Sequence, residues 1–199
     1  MEFLTGLGLS SAAGLNAYIP MLVLGLLDRY TGLVQLPPAW AWLSSGWVLA
    51  IIGLLLMLEI VADKIPVLDS INDWLQTVIR PAAGGIVFSS GVSSQTVTVT
   101  DPDAFFGSSQ WIPVAIGIGI ALAVHLVKMT ARPVLNATTA GTAAPVVSTA
   151  EDLASTGLAV AAVLLPVLVL VLLAVVLAVP WRVYRRIRRQ RRPAGTGRA

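Results

Sequence analysis

Several stretches of this chain are largely apolar over a length that matches the hydrocarbon core of a lipid bilayer. Trp111–Ala131 and Asp152–Val179 are two of them, and a helix needs roughly 20 apolar residues to cross that core. Of the 199 residues, 56% are hydrophobic and 12% are charged, whereas soluble domains average about 25% charged residues. Lipid offers the backbone no hydrogen bonds, so such segments fold as helices. The sequence therefore predicts an all-α, polytopic transmembrane helical bundle.

Four or five crossings are expected, because one of five candidate segments is ambiguous. The segments are residues 7–27, 47–65, 82–99, 111–131 and 152–179. Asn16 and Pro20 interrupt the first segment, which predicts a kinked or broken helix. The third segment contains several serines, so it either crosses or dips and returns, and residues 96–100 alternate like a strand. If the C-terminus is cytoplasmic, five crossings place the N-terminus outside the cell and four place it inside.

Two shorter stretches are predicted not to cross. Asp69–Ile79 has apolar residues at helical spacing opposite a polar face, which predicts an interfacial helix lying flat on the membrane. Asn136–Ala150 is too short and polar to span, and it is predicted to be a re-entrant segment buried in protein. Ser148 and Glu151 have the spacing of a capping box, which predicts that the last helix begins there.

The distribution of charge divides the chain at residue 180. Residues 181–199 contain eight arginines, whereas residues 1–180 carry five basic and ten acidic side chains. We expect residues 1–180 to form the membrane domain and residues 181–199 to form a basic cytoplasmic tail that contacts anionic lipid headgroups. Nucleic acid is not expected as a partner, because the tail directly follows a hydrophobic segment.

Residues 47–69 and 111–136 resemble each other and predict an internal repeat. Each copy begins at a tryptophan, continues as an apolar run, and ends in Pro-Val-Leu followed by Asp or Asn. The ionisable residues near the end of the first copy are Glu59, Asp63 and Lys64, and those of the second are His125, Lys128 and Arg132. The two copies run parallel with five crossings and are inverted with four.

These ionisable residues are the first candidate site. Glu59 and Asp63 share one helix face, as do His125, Lys128 and Arg132. Charges inside a membrane span are costly, so they mark a pathway, a relay or a forced pairing. We expect the acidic face to pack against the basic face. For Asp63, Lys128 and the two residues nearest the span ends, Lys64 and Arg132, the alternative is anchoring at the interface.

Two asparagines and three further charges complete the candidates. Asn16 and Asn136 lie in small-residue segments closed by a proline, where an amide can coordinate an ion or make one interhelical hydrogen bond. Arg80, Glu151 and Asp152 are expected to pair helices or anchor them. Arg80 is interpreted first as an interfacial anchor, with contact to an anion or a headgroup as the alternative, and Glu151 and Asp152 are interpreted first as residues of a helix start. Cysteine is absent and His125 is the single histidine, so neither a transition-metal site nor another cofactor is predicted. The sequence lacks the common nucleotide-binding and hydrolase motifs, so no enzyme activity is expected.

The chain resembles a family of small bacterial integral membrane proteins that is catalogued as a domain of unknown function. The likeness spans residues 6–165 and includes residues 14–20, the Glu59-to-Asp69 string, residues 80–84, the His125, Lys128 and Arg132 stripe, and Ser148, Glu151 and Asp152. The resemblance implies a bacterial cell membrane location but no activity.

Two functions remain open from the sequence. One is a small transporter or channel-like protein, acting as a homo-oligomer, that binds an ion or substrate at the charged faces and the two asparagines. The other is a structural or accessory membrane protein whose charges only lock helices together. A membrane enzyme that acts on lipid comes third, since no nucleophile or metal set is recognisable.

Overall fold

A computed structural model describes residues 1–92, Ser109 and 111–190 of the chain. These residues form seven α-helices and one 3-10 helix, with no strand among them. The elements are α1 (Glu2–Leu15), α2 (Tyr18–Tyr30), the 3-10 helix (Pro38–Ser44), α3 (Gly46–Ala62), α4 (Pro66–Val92), α5 (Trp111–Thr139), α6 (Ala144–Leu164) and α7 (Leu168–Gln190). The all-α prediction is confirmed. The strand-like alternation at 96–100, most of the predicted loop at 101–110 and residues 191–199 of the tail lie outside the described residues.

Helix α1 lies at the centre of the bundle. It packs against α2, α4, α5, α6 and α7, and this is possible because its inner residues are small. Ala12 and Ala13 are completely buried, as is Ser10. Small residues let membrane helices approach closely. Helix α3 packs mainly against α2 and the 3-10 helix, so the two predicted repeat copies meet mainly at the ion pairs of Asp63 with Lys128 and Arg132.

Helices α4 and α5 pair most extensively, and glycine allows their close approach. A methyl group added at Gly117 would meet the carbonyl oxygen of Gly84 and the side chain of Phe88. A methyl group added at Gly84 would meet the side chain of Ala121. Only hydrogen fits between the two backbones at this crossing.

The bundle is apolar outside and polar inside along α4. Trp74 and Val78 are 72% and 74% exposed, whereas Gln76 is 1% exposed. In water this distribution would leave a large apolar face unprotected, and in lipid it is the favourable one. The interfacial helix predicted at Asp69–Ile79 is wrong, because these residues form the first half of the continuous 27-residue helix α4. Asp73 and Gln76 of their polar face are buried in the bundle.

The described residues provide fewer candidate crossings than the four or five expected. Two helices, α5 and α6, are long and apolar enough to cross a membrane. A third is added if Pro38–Ser44 and α3, which meet at an angle of 65°, are counted as one bent span. The first predicted segment is divided into α1 and α2, and the fifth is divided at Pro166 between α6 and α7. Helix α4 is not counted as a candidate crossing, because its inward-facing polar residues make it less apolar than α5 and α6.

The structure does not support the internal repeat or the re-entrant segment. After the first copy's apolar run the chain turns at residues 63–65 and α4 begins at Pro66, whereas Pro133 of the second copy lies inside α5. Residues 136–150 finish α5, turn at Ala140 and Gly141 with positive φ angles of 50° and 80°, and begin α6. Ser148 is therefore inside α6, which starts at Ala144, so the predicted capping box is wrong.

The predicted division between a membrane domain and a tail stays a prediction. Helix α7 runs across the proposed boundary at residue 180 and continues to Gln190.

Candidate functional site

The first predicted segment breaks at Asn16, near the centre of the bundle. Asn16 has an extended backbone, with φ −148° and ψ 119°, between the end of α1 and the start of α2. Its Oδ1 accepts hydrogen bonds from the amides of Tyr18 and Ile19, at 3.1 and 3.3 Å. Asn16 thereby caps α2, since the first amides of a helix have no partner within the helix. The broken helix expected from Asn16 and Pro20 is present.

The break also frees carbonyl groups at the end of α1, and two buried cations bind them. Lys128 Nζ donates to the carbonyl of Leu15 at 3.2 Å, and Arg80 Nη1 donates to that of Gly14 at 3.4 Å. The C-terminal end of a helix carries a partial negative charge, so it favours cations. The discontinuity of α1 and α2 therefore positions both cations.

Arg80 connects the acidic side chain of α3 to this break. It is completely buried, and its Nη2 lies 2.8 Å from Glu59 Oε1 and 3.9 Å from Asp63 Oδ2. Glu59 is 3% exposed, and its second oxygen, Oε2, has no hydrogen-bond partner among the described residues. The interpretation of Arg80 as an interfacial anchor is not what the structure shows, because its guanidinium points into the bundle.

Asp63 and Glu151 share the two cations of α5. Asp63 Oδ2 lies 3.1 Å from Lys128 Nζ and 3.3 Å from Arg132 Nη2. Glu151 Oε2 lies 3.2 Å from Lys128 Nζ and 2.6 Å from Arg132 Nη2. Asn72 Nδ2 donates to Asp63 Oδ1 at 2.9 Å. The structure brings Asp63, Lys128 and Arg132 together as the sequence predicted, but it adds α6 through Glu151.

The expected contact between Glu59 and His125 is replaced by one through Arg80. Arg80 Nη1 donates to His125 Nδ1 at 3.1 Å, and His125 Nε2 lies 3.1 Å from the hydroxyl of Thr77. A guanidinium can only donate, so Nδ1 accepts and the proton of a neutral imidazole is on Nε2. The Thr77 hydroxyl then donates to the carbonyl of Asp73 at 2.9 Å. His125 is therefore a fully buried, neutral link between α4 and α5.

The remaining predicted residues lie at the edge of this region or away from it. Asp152 Oδ1 accepts a hydrogen bond from Asn16 Nδ2 at 3.0 Å, and it is half-buried. Lys64 Nζ donates to the carbonyl of Ile60 within its own segment. Asn136 is half-buried at the end of α5, and its carbonyl accepts a hydrogen bond from Gly141. The structure thus brings Asn16 to the site but not Asn136.

Glu151 and Asp152 are not helix-start residues as predicted. Helix α6 begins seven residues before Glu151, because Pro145 starts the helix and the capping-box spacing at Ser148 is not used. Both carboxyl groups face the break in α1.

Sequence reasoning missed Asp73 and Gln76 as members of the site. Both are on the polar face that was assigned to water, and they are 5% and 1% exposed. Asp73, Gln76 and Arg80 follow one another at three- and four-residue intervals, which places them in one stripe of α4. The signal that could have found them is this stripe, which ends at a buried arginine.

We define the charge cluster as eight side chains that surround the break in α1. They are Glu59, Asp63, Asp73, Arg80, Lys128, Arg132, Glu151 and Asp152. The cluster draws on four helices, α3 with its C-terminal end, α4, α5 and α6, and connects them through ion pairs. Removing one partner of a buried ion pair typically costs about 3–5 kcal/mol, because the other charge is left uncompensated. The cluster therefore has a large influence on which packing of the helices is stable.

A comparison with protein-family models assigns the chain to a family. The model of the family described as "Domain of unknown function (DUF4126)" matches residues 3–186. The chain belongs to this family. The DUF4126 match contains the whole charge cluster and the break at Asn16, and it reaches further towards the C-terminus than the resemblance seen in the sequence, which ended at residue 165. Comparisons with curated proteins and with solved structures give no match.

Proposed function

We propose that the protein is a small membrane transporter or channel-like protein whose binding site is the charge cluster. The observation that carries the proposal is the helix break at Asn16, where the freed carbonyls of α1 meet Arg80 and Lys128. Discontinuous helices of this kind form the ion and substrate sites of many secondary transporters. Irregular backbone inside a membrane protein is tolerated where it is buried in protein or lines a cavity.

The shared ion pairs of the cluster allow its cations to exchange carboxylate partners. Asp63 and Glu151 share Lys128 and Arg132, so a cation can move from one carboxylate to the other without being left alone. Glu59 uses one oxygen for Arg80, and its second oxygen has no hydrogen-bond partner in the described part of the chain. In the proposed cycle this carboxylate accepts a proton or a cation, and Arg80 shifts towards Asp63, which is already 3.9 Å away.

A structural or accessory function is the second candidate, and one observation favours it. Every cation of the cluster contacts at least one carboxylate at 3.2 Å or less, so the ion pairs are also sufficient to lock α3, α4, α5 and α6 together. In this case the charges supply packing specificity and bind no ligand.

Flux measurements on Glu59→Gln separate the two candidates. The purified protein is reconstituted in vesicles that contain the pH indicator pyranine, and a potassium gradient with valinomycin imposes a membrane potential. We expect a protein-dependent proton flux that Glu59→Gln reduces at least about tenfold, which corresponds to about 1.4 kcal/mol of activation free energy. Glu2→Gln, which removes an exposed carboxylate from the start of α1, is the matched control.

The outcome that contradicts transport is equally clear. A wild-type protein without flux, or a Glu59→Gln protein with unchanged flux, would favour the structural candidate. That candidate also predicts a lower unfolding temperature for Glu59→Gln, because the substitution leaves Arg80 buried without its carboxylate.

We further propose a location and partners for the protein. The location is the bacterial inner membrane, with several crossings and the C-terminus in the cytoplasm. The exposed arginines of α7, Arg182 and Arg185, support contact with anionic lipid headgroups. We propose a homo-oligomer without enzyme activity, and no nucleic-acid partner.

A further inference from the structure

The charge cluster contains more carboxyl groups than cations. Five acidic side chains face three basic ones, so the formal charge of these described residues is −2 when all are ionised. His125 does not compensate for this excess, because its contact with Arg80 requires the neutral ring. Lys64 bonds to a backbone carbonyl at the edge of the cluster.

The ion pairs show which carboxyl groups are left over. Arg80 pairs with Glu59, and Lys128 and Arg132 are shared by Asp63 and Glu151. In the part of the chain that the structure describes, Asp73 and Asp152 make no ion pair.

These two carboxyl groups differ in their surroundings. Asp152 is half-buried and accepts a hydrogen bond from Asn16, and Lys64 acts on it electrostatically. Asp73 is 5% exposed, and its Oδ1 has no hydrogen-bond partner among the described residues. Asp73 is therefore the carboxyl group of the cluster with the least compensation.

The groups that act electrostatically on Asp73 or bond to its backbone belong to α4, α5, α6 and the end of α3. They are Lys128 and His125 from α5, Arg80 from its own helix α4, Asp63 at the end of α3 and Glu151 from α6. The two cations are held by other carboxylates, and two of the five groups are themselves acidic. An ionised Asp73 would thus be a buried carboxylate without a direct counter-ion, which is a costly state.

We infer that Asp73 is the binding site for one small cation, either a proton or a monovalent metal ion. Oε1 of Gln76, one turn further along α4, has no hydrogen-bond partner among the residues that the structure describes and is a second acceptor on the same stripe. Among the described residues the atoms without a partner at these two positions are both oxygen acceptors, and together with the uncompensated carboxylate of Asp73 they favour a positively charged ligand. Within the described residues no three acidic, histidine or cysteine side chains are grouped to hold a metal ion, which disfavours a divalent ion.

This inference rests on the proposed function and deepens it, since it assigns the site of the coupling cation to Asp73, but binding is testable without transport. Infrared difference spectra of the purified protein in detergent, recorded between acidic and alkaline pH without sodium, detect the carbonyl stretch of a protonated carboxyl group. We expect the wild-type band to include a component from a buried carboxyl group, Asp73→Asn to lack that component, and the exposed control Glu2→Gln to keep it.

A sodium titration at constant pH identifies the ligand. If a metal ion competes with the proton, the band decreases as sodium replaces N-methylglucamine at fixed ionic strength. A band that responds to pH but not to sodium identifies the proton as the ligand. Either result supports the site at Asp73, and neither depends on flux through vesicles.

Thermal unfolding gives the second readout. Asparagine resembles the neutral form of aspartic acid, so we expect Asp73→Asn to unfold at the wild-type temperature or above it and to show a smaller dependence of that temperature on pH. Asp63→Asn, in contrast, should unfold at a lower temperature because it removes a paired carboxylate.

Several results would overturn the inference. They are an unchanged protonated-carboxyl band in Asp73→Asn, the absence of any such band in the wild-type protein at acidic pH together with no response to sodium, and an Asp73→Asn protein that is destabilised like Asp63→Asn or does not fold. If the band is assigned to Asp73 but no flux is observed, the binding site stands and the transport proposal fails.

Discussion

At the residue scale, Arg80 shows how one side chain organises the site. From its position on α4 the guanidinium contacts Glu59 of α3, the Gly14 carbonyl of α1 and His125 of α5. Arginine suits this position because its planar group donates in several fixed directions and does not lose its charge. The neutral state of His125 and the orientation of Glu59 both follow from this one buried cation.

A substitution of Asp63 is the simplest test of whether single ion pairs of the cluster stabilise the fold. We expect Asp63→Asn to lower the free energy of unfolding by about 3–5 kcal/mol, because Lys128 and Arg132 both lose a carboxylate partner in a buried environment. The measurement is equilibrium or thermal unfolding in detergent, with Glu2→Gln as the exposed control. A loss no larger than that of the control would show that the ion pairs do not stabilise the fold.

At the scale of the elements, the packing of α4 against α5 places the stripe of α4 beside the basic face of α5. The crossing is close because glycine occupies both backbones at Gly84 and Gly117. If these helices moved apart, Thr77 and His125, which are 3.1 Å apart, would separate. The crossing and the site are therefore coupled through rigid helices.

Two glycines of α5, one in the crossing with α4 and one outside it, test whether the close approach of these helices requires glycine. Gly117→Ala should destabilise the protein by about 1–3 kcal/mol, because the added methyl group meets the backbone of α4. Gly119→Ala, two residues away, should be neutral or slightly stabilising, since nothing lies within 4 Å of its added methyl group and alanine favours the helix. Unfolding temperatures of the two variants provide the comparison, and equal effects would show that the crossing tolerates extra volume.

The sequence correctly predicted which residues share a helix face, but it did not predict what each face packs against. The spacing of Glu59 and Asp63, and of Lys128 and Arg132, gave the correct helix faces, because helical periodicity depends only on local geometry. The spacing of the polar residues on α4 also gave a correct face, but Asp73 and Gln76 were assigned to water. Hydrophobic periodicity alone does not tell whether a polar face meets water or a polar interior when the apolar face meets lipid.

The errors in the predicted helix ends have a related cause. Pro133 was expected to stop a helix, yet α5 continues to Thr139, since a proline inside a membrane-spanning helix is tolerated when neighbouring groups satisfy the freed carbonyl. The break at Asn16 was predictable because asparagine and a nearby proline both weaken the helix locally. That its carbonyls meet Arg80 and Lys128 depends on long-range packing and was not.

At the scale of the whole molecule, the helices surround a polar centre and present apolar residues outward. The elements that meet at that centre are the broken α1 and α2, the acidic end of α3, the polar stripe of α4, the basic face of α5 and the carboxylates of α6. A site built from six elements changes whenever one of them shifts. A change of charge at one carboxyl group then alters the packing of the bundle, as the proposed transport function requires.

The most direct test of this account asks whether water reaches the helix break. The wild-type sequence has no cysteine, so Ala17→Cys at the break and Ala121→Cys in the α4–α5 crossing each introduce a single thiol at a position that is completely buried in the structure. Each variant is treated in vesicles with a membrane-impermeant thiol reagent from either side. We expect Ala17→Cys to react and Ala121→Cys to remain unlabelled. If Ala17→Cys in folded protein is as unreactive as Ala121→Cys from both sides, the cluster is a dry structural lock and the transport proposal is wrong.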